Sequence, residues 1–334
     1  MIVSRALSGI FSAIVALRNG MYDRGQLKSN ELRGPVVSVG NLSVGGAGKT
    51  PFTIMLGDAL KQRSIHFDIL SRGYHRQTRG ALIVDPSGSP REFGDEPLLI
   101  ARELGVDVVV GASRYEAGSL AEKTWGPRLH LLDDGFQHRR LKRQFDIVLL
   151  GAEDFHDALL PAGRLRESPR ALSRADAVVS DSEFPSGSVP AGVKTWTMHR
   201  SLRVNTTSKR PVVFCGVGKP KNFFAQVRAL GMVPAAEISF GDHHRYTLSD
   251  VRRLERIAKA KNADGFITTA KDAINLEPLG LQPVMRHTEE TIWRERSESR
   301  LHPLSIAKLK VTLDGLDEAI GIILRELRDR GKPL

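Results

Sequence analysis

Cysteine is almost absent from this sequence: Cys215 stands alone among 334 residues. A single thiol excludes an intramolecular disulfide framework and a multi-cysteine zinc site, and it fits a reducing, cytoplasmic setting. Long apolar runs are missing too. The longest uncharged stretch near the start, Ala6 to Leu17, lies between Arg5 and Arg18 and falls short of the about 20 residues that cross a hydrocarbon core. No transmembrane helix is expected. Aromatics are scarce at 6% and do not interleave with the basic clusters, so a stacking platform for nucleic-acid bases is not evident. Neither an Asn-Lys-x-Asp guanine-reading motif nor an internal repeat occurs. Acidic residues are in deficit, 38 against 49 Lys plus Arg, for a formal net charge of +11. That surplus favours an anionic partner: nucleic acid, an acidic membrane surface or a phosphorylated substrate.

What is present is an ordinary globular composition, with 41% hydrophobic residues and 26% charged, at a length that suits about two domains. In the first segment Val3, Ile10, Ile14 and Leu17 recur at helical spacing, with Leu7, Phe11 and Val15 widening the stripe. An amphipathic helix over residues 1–20 follows, either docked on its own domain or lying in a membrane interface. From Pro35 short apolar runs alternate with helical stretches: Val36 to Val39, Phe67 to Leu70, Ala81 to Val84, Val106 to Val110, Leu129 to Leu132, Phe145 to Leu150 and Ala177 to Val179. Such alternation predicts an α/β fold with a mostly parallel sheet covered on both faces. Apolar periodicity fades between Ser180 and Arg210, which places a junction there. The expected division is a phosphate-loop domain over 21–205 and a second, smaller α/β domain over 206–334. Strands of the latter are expected at Val212 to Cys215, Ala236 to Phe240 and Phe266 to Thr269.

The most informative stretch follows the first strand. Gly40-Asn41-Leu42-Ser43-Val44-Gly45-Gly46-Ala47-Gly48-Lys49-Thr50-Pro51 leads into Phe52, Met55, Leu56, Ala59 and Leu60 at helical spacing, which is the strand, glycine-rich loop and helix of a P-loop. Residues 43–50 would bind a nucleotide. Glycines let successive N–H groups turn toward phosphate oxygens, and the helix N-terminus adds partial positive charge. Lys49 would reach the β/γ-phosphates and the Thr50 hydroxyl would ligate Mg2+. Ser43 departs from the motif's first glycine, a loss that Gly45 and Gly46 offset in backbone freedom. Such a loop would be useless outside the ATP-containing compartment, so the first segment is not read as an export signal.

A P-loop needs a second acidic strand end near the metal, and Leu129-His130-Leu131-Leu132-Asp133-Asp134-Gly135 supplies one. Adjacent acids there also suit a cap or a turn. Gly94-Asp95-Glu96-Pro97 opens an apolar helix and could serve only as its cap. Gly241-Asp242-His243-His244 follows a strand of the second unit. Those histidines suit a surface loop, a metal or acid-base work, and zinc is disfavoured because no further ligands are visible. Basic residues cluster at Gln137-His138-Arg139-Arg140-Leu141-Lys142-Arg143 and again at Arg164, Arg166 and Arg170. An anionic substrate or lipid headgroup suits them better than nucleic acid, which is not expected as a partner.

Together, Gly40 to Pro51, Ser71-Arg72-Gly73-Tyr74, Gly94-Asp95-Glu96-Pro97, Asp133-Asp134-Gly135-Phe136-Gln137-His138, Gly163-Arg164-Leu165-Arg166-Glu167, Asp242-His243-His244 and Thr269-Ala270-Lys271-Asp272 resemble the tetraacyldisaccharide 4'-kinase family of lipid A biosynthesis. Seven segments in order make the resemblance specific, and one departure is Ala270, where the family usually has Glu. The resemblance implies transfer of the γ-phosphoryl of ATP to the 4'-hydroxyl of a tetraacylated glucosamine disaccharide 1-phosphate. It also implies two α/β domains around a cleft, at the cytoplasmic face of a Gram-negative inner membrane that the N-terminal helix touches peripherally. Lys49 and Thr50 match the nucleotide and Mg2+ positions, Asp133 and Asp134 the Walker B pair, and Glu96 a position near the metal. Asp95 matches the general base and His243 its partner, while Arg114 and His138 match lipid-contacting positions. The rival readings are an ATPase switch, which would turn over nucleotide without a phosphorylated lipid, and a charge-driven nucleic-acid binder, which would show a steep salt dependence.

Overall fold

The computed structural model describes residues 2–45, 48–184, 187–279, 283–285, 291–293 and 302–332. Of the expected nucleotide loop, Gly46 and Ala47 lie outside the described residues.

In chain order the first half comprises α1 (Ile2–Asp23), β1 (Val36–Asn41), α2 (Lys49–Gln62), β2 (Phe67–Ser71), β3 (Leu82–Ile83), α3 (Pro90–Phe93) and α4 (Asp95–Leu104). It continues with β4 (Val108–Val110), α5 (Arg114–Trp125), β5 (Leu129–Asp133), β6 (Phe145–Leu150), β7 (Ala177–Ser180) and β8 (Lys194–Val204). The second half holds β9 (Val212–Cys215), α6 (Pro220–Ala229), β10 (Ala236–Ser239), α7 (Leu248–Ala260), β11 (Phe266–Thr269) and α8 (Ala270–Leu276). A short hairpin of β12 (Pro283–Met285) and β13 (Thr291–Trp293) precedes β14 (Leu304–Leu313) and α9 (Leu316–Asp329).

One twelve-stranded sheet runs through both halves in the order β10-β9-β11-β14-β8-β7-β6-β1-β5-β2-β4-β3. Strands β1, β2, β5, β6 and β7 are buried on both faces, which is why they read as unbroken apolar runs. Neighbours are parallel except at β3–β4 and at β8–β14. The latter seam shapes the molecule. The start of β8 pairs with β7 through Lys194 to Thr197, and its remainder, Met198 to Val204, pairs with β14 instead. The second half is thus carried past the carboxyl edge of the first by seven residues, about 23 Å of strand. Because β14, β11, β9 and β10 run the opposite way, their carboxyl ends point back. Two carboxyl edges face each other, and each is where α/β sheets bind ligands.

β8 lies in the stretch where apolar periodicity fades, and the sequence reading missed it. Its apolar residues, Trp196, Met198, Leu202 and Val204, occupy alternate positions of one face between exposed Thr195, Thr197, His199 and Arg203. Alternation with so many polar residues mimics a linker. The boundary expected at 205/206 falls between β8 and β9, yet α9 crosses it. Ile320, Ile323 and Leu327 of α9 are buried in one core with Phe145, Ile147 and Ala177 of the first half, together with α2 and α4. Ile274 of α8 joins the same core.

Helix α1 inverts the usual arrangement of an amphipathic helix. Leu7, Ile10, Ile14 and Leu17 are 49–62% exposed, while polar side chains make the attachment. Ser8 Oγ donates to the Leu159 carbonyl (2.7 Å), Arg18 to that of Gln137 (3.3 Å), and Asn19 to Glu167 (2.6 Å).

Candidate active site

The P-loop segment lies between β1 and α2. Gly40 packs so closely on Phe136 that a Cβ there would come within 2.8 Å of the Phe136 nitrogen. Gly48 takes a left-handed φ of 78° at the N-cap of α2, a conformation that favours glycine. The start of the loop is braced from outside. Ser43 bridges Leu165, the Val44 N–H donates to the Arg164 carbonyl (2.8 Å), and the Arg166 N–H donates to that of Leu42 (2.7 Å). Lys49 Nζ donates to Asn41 Oδ1 (3.1 Å) and lies 3.4 Å from Asp134. Half-buried Thr50 follows in the first turn of α2.

Asp133 ends β5, 2% exposed, and accepts hydrogen bonds from Thr53 (3.4 Å) and Ser71 (3.3 Å). Burial, reinforced by Glu96 and Asp134, pushes its carboxyl up to about 7 against the pull of Lys49 and Arg114. Asp134 turns the chain with φ 53° and pairs with Arg166 at 3.0 Å. Against its burial, Lys49 and Arg166 hold it below the usual carboxylate range. Asp133 therefore feels two further carboxylates, Glu96 and Asp134, against Lys49, Arg114 and Arg166 around the loop and Lys271 at Glu96. A divalent cation fits such a set, since it would relieve the cost of ionising Asp133.

Arg114 opens α5 and is 3% exposed. It donates to the Gly111 and Ala112 carbonyls (3.3 Å each), and its Nε has no partner among the described residues. Burial lowers it to about 10 although Asp134 and Asp133 oppose the shift. The buried His138 Nε2 is likewise without a partner among the described residues. Burial and the charges of Arg114, Arg143, Arg140 and Arg18 lower this imidazole to about 4, so it is neutral near pH 7. Much of the nearby basic cluster is already engaged: Arg139 pairs with Asp23, Arg143 with Asp146 and Arg164 with Asp157.

Across the cleft, Asp95 and His243 meet. Asp95 begins α4, whose N-cap is Gly94, and it serves both the first turn of its helix and the other half. Its Oδ1 accepts the Glu96 N–H (3.0 Å), and its Oδ2 accepts from His243 Nδ1 (3.0 Å) and Asn275 Nδ2 (3.3 Å). Burial would raise the Asp95 carboxyl, but His243 and Lys271 hold it below its ordinary range. In return, Asp95 lifts the His243 imidazole above its own despite burial and Lys271. His243 sits at φ 56° with its N–H on the Gly216 carbonyl (3.2 Å). His244 turns away, stacking on Phe240 and bonding Asp250 at 3.1 Å. Tyr74, His75, Arg91 and Arg245 line a cavity beside the pair. Ala270 is the first residue of α8.

The expected residues thus fall into two groups, Lys49, Asp133, Asp134, Glu96 and Arg114 around the loop and Asp95 with His243 beside it, joined where Asp95 abuts Glu96. Sequence reasoning gave no task to Lys271, Asn275 or Arg200. Lys271 Nζ lies 3.0 Å from His243 Nε2, and the Arg200 guanidinium reaches to 3.6 Å from where a side chain at 48 would begin. Only membership of the Thr269-Ala270-Lys271-Asp272 segment marked the first of these.

A family model described as tetraacyldisaccharide-1-P 4'-kinase matches residues 2–310. The tetraacyldisaccharide 4'-kinase of Koribacter versatilis is 45% identical over 97% of this chain and 98% of that protein. Its counterpart in Geobacter metallireducens is 38% identical over 82% and 88%. The crystal structure of LpxK from Aquifex aeolicus in complex with ATP superposes with a TM-score of 0.75 at 33% identity, covering 96% of this chain and 97% of that one.

Proposed function

The chain belongs to the tetraacyldisaccharide-1-P 4'-kinase family, and from that premise we propose how its residues divide the work. The reaction is that of the family: the γ-phosphoryl of ATP passes to the 4'-hydroxyl of the tetraacylated disaccharide 1-phosphate in lipid A biosynthesis. Residues 43–50 hold the nucleotide. The Val44 N–H already serves the Arg164 carbonyl, which leaves the later amides and the Lys49 ammonium for the phosphates. Lys49 stabilises charge on the transferring group, as preorganised cations do in phosphoryl transfer. Thr50, Asp133 and Glu96 would hold Mg2+, with Asp134 aligning Lys49 beside them. The metal neutralises phosphate charge when bound.

Asp95 orients the 4'-hydroxyl and takes its proton as oxygen bonds to the γ-phosphorus and the bond to ADP breaks. His243 secures that carboxylate from the opposite half. Arg114 and His138, each with a buried nitrogen that has no partner among the described residues, contact the lipid substrate. Being neutral near pH 7, His138 suits a hydroxyl or carbonyl of the sugar, and Arg114 suits an anion. The two halves, 21–205 and 206–334, form the walls of the cleft. Among the described residues no helix is long and apolar enough to cross a membrane. The exposed stripe of α1 supports peripheral contact with the anionic cytoplasmic face of the inner membrane, where acyl chains of the substrate reside.

The observation that carries this reading is the 3.0 Å contact between Asp95 and His243, on a helix start shared with Glu96. The test is a kinase assay with ATP, Mg2+ and purified disaccharide 1-phosphate in detergent, with radiolabelled products separated by thin-layer chromatography. Label should pass to the lipid, and Lys49→Ala should lose about 100-fold or more in kcat. Release of phosphate without labelled lipid would instead make the chain an ATPase.

A further inference from the structure

Lys271, the second residue of α8, sits at the centre of the contacts between the two halves. Its Nζ lies 3.0 Å from His243 Nε2, 3.8 Å from Asp95 Oδ2, and 3.6 Å from both Glu96 Oε1 and Asp242 Oδ1. An ammonium has three donors and no acceptor, so at 3.0 Å the Nε2 lone pair must receive one of its hydrogens. The single proton of a neutral imidazole then has one place left, Nδ1, which faces Asp95 at 3.0 Å. Asn275 fastens the arrangement from the same helix, donating to Asp95 Oδ2 and to the Lys271 carbonyl (3.2 Å).

We propose that Lys271 is a positioning residue that fixes His243 as the neutral Nδ1–H tautomer, so that Asp95 meets a hydrogen-bond donor and not an imidazolium. This inference rests on the reading of Asp95 as the base. An imidazolium beside Asp95 would form a full ion pair and weaken the carboxylate as a proton acceptor. A neutral N–H orients the same oxygen at a smaller loss of basicity, leaving the second lone pair of Oδ1, beyond the Glu96 N–H, for the substrate hydroxyl. The groups that face His243 are Asp95 from α4, Lys271 from α8, Asp242 from its own loop, and the rings of Tyr74 and His75 at 5.2 and 5.5 Å. Asp95 and Asp242 favour a second proton on the ring and outweigh burial and the charge of Lys271, so it is the Lys271 hydrogen bond into the Nε2 lone pair that keeps that proton off. Removing Lys271 therefore tips the balance toward imidazolium.

The test uses the full chain labelled with 15N-histidine, read by long-range 1H–15N correlation at about pH 8, where an ordinary histidine is neutral. His243→Gln assigns the signal among the ten histidines. Wild-type His243 should show a protonated Nδ1 and a bare Nε2. In Lys271→Met Nε2 should carry a proton at the same pH, kcat should fall about 10-fold or more, and KM for ATP should stay within about twofold. Lys271→Arg, which keeps a donor at this point, should restore the wild-type signature. A protonated Nε2 in the wild type overturns the proposal, even if Lys271→Met does not fold. So does an unchanged His243 signature in a folded Lys271→Met. A changed signature with unchanged kcat would uphold Lys271 as the device that places the proton, and would remove Asp95 as the base.

Discussion

Asp133 carries its charge at some expense, because burial and two neighbouring carboxylates disfavour ionisation. Its folded value near 7 lies above that of an unfolded aspartate, about 3.9. The stability it contributes is therefore complete below about pH 4 and is lost as pH rises through about 7. Asp133→Asn removes the titration, so in metal-free buffer at pH 8 the variant should melt about 2 °C or more above the wild type. That gap should close near pH 4, and calorimetry at the two pH values checks both. Equal melting temperatures at pH 8 would mean that Asp133 is not crowded as described. Asp95 and His243 act as one unit, so their losses should not multiply. Asp95→Asn should lower kcat about 100-fold or more, and Asp95→Asn/His243→Ala should be little worse than the poorer single variant. Multiplicative losses in steady-state kinetics would assign His243 a separate role. Lys49, Asp133 and Asp95 were legible because each sits in a short contiguous pattern whose chemistry is local. Lys271 and Asn275 were not, since the Asp95 they both touch lies about 180 positions away and is brought near only by the fold.

At the scale of elements, α1 is attached by its polar side and presents its apolar side outward. Apolar periodicity revealed the stripe but not its direction, because the pattern is the same whichever face is covered. Ser8, Arg18 and Asn19 decide it through partners more than 100 residues distant. Removing residues 1–18 should weaken binding to anionic vesicles, each nearby arginine adding about 1 kcal/mol. The truncated enzyme should keep its affinity for ATP and show a higher apparent KM for disaccharide presented in vesicles. Equal flotation of both proteins with anionic vesicles would refute the anchoring role. Strand β8 was illegible for a related reason, since one covered face and one charged face read as the composition of a loop. The doubly buried strands β1, β5 and β6 suffered no such ambiguity.

For the whole molecule, the consequential contact is α9 returning to the first half. Ile320, Ile323 and Leu327 are almost fully buried there, each contributing about 1.5–3 kcal/mol to a total stability of about 5–15 kcal/mol. A chain ending at Leu313 should lose cooperative thermal unfolding and ATP binding together, although every nucleotide-contacting residue remains. Scanning calorimetry and titration calorimetry test this, and intact ATP binding in that chain would make the first half independent of its last helix. The seam between β8 and β14 has a different kind of consequence. Its seven residue pairs work as a gauge block between the facing edges, and a gauge block made of residues has only whole-number lengths. One pair more or fewer changes the spacing by about 3.3 Å and turns every following side chain to the opposite face. Working geometry tolerates an error of only about 0.5 Å. The span of the cleft is therefore quantised too coarsely to be tuned at the seam, and accommodation of larger or smaller acceptors is left to the loops that line it.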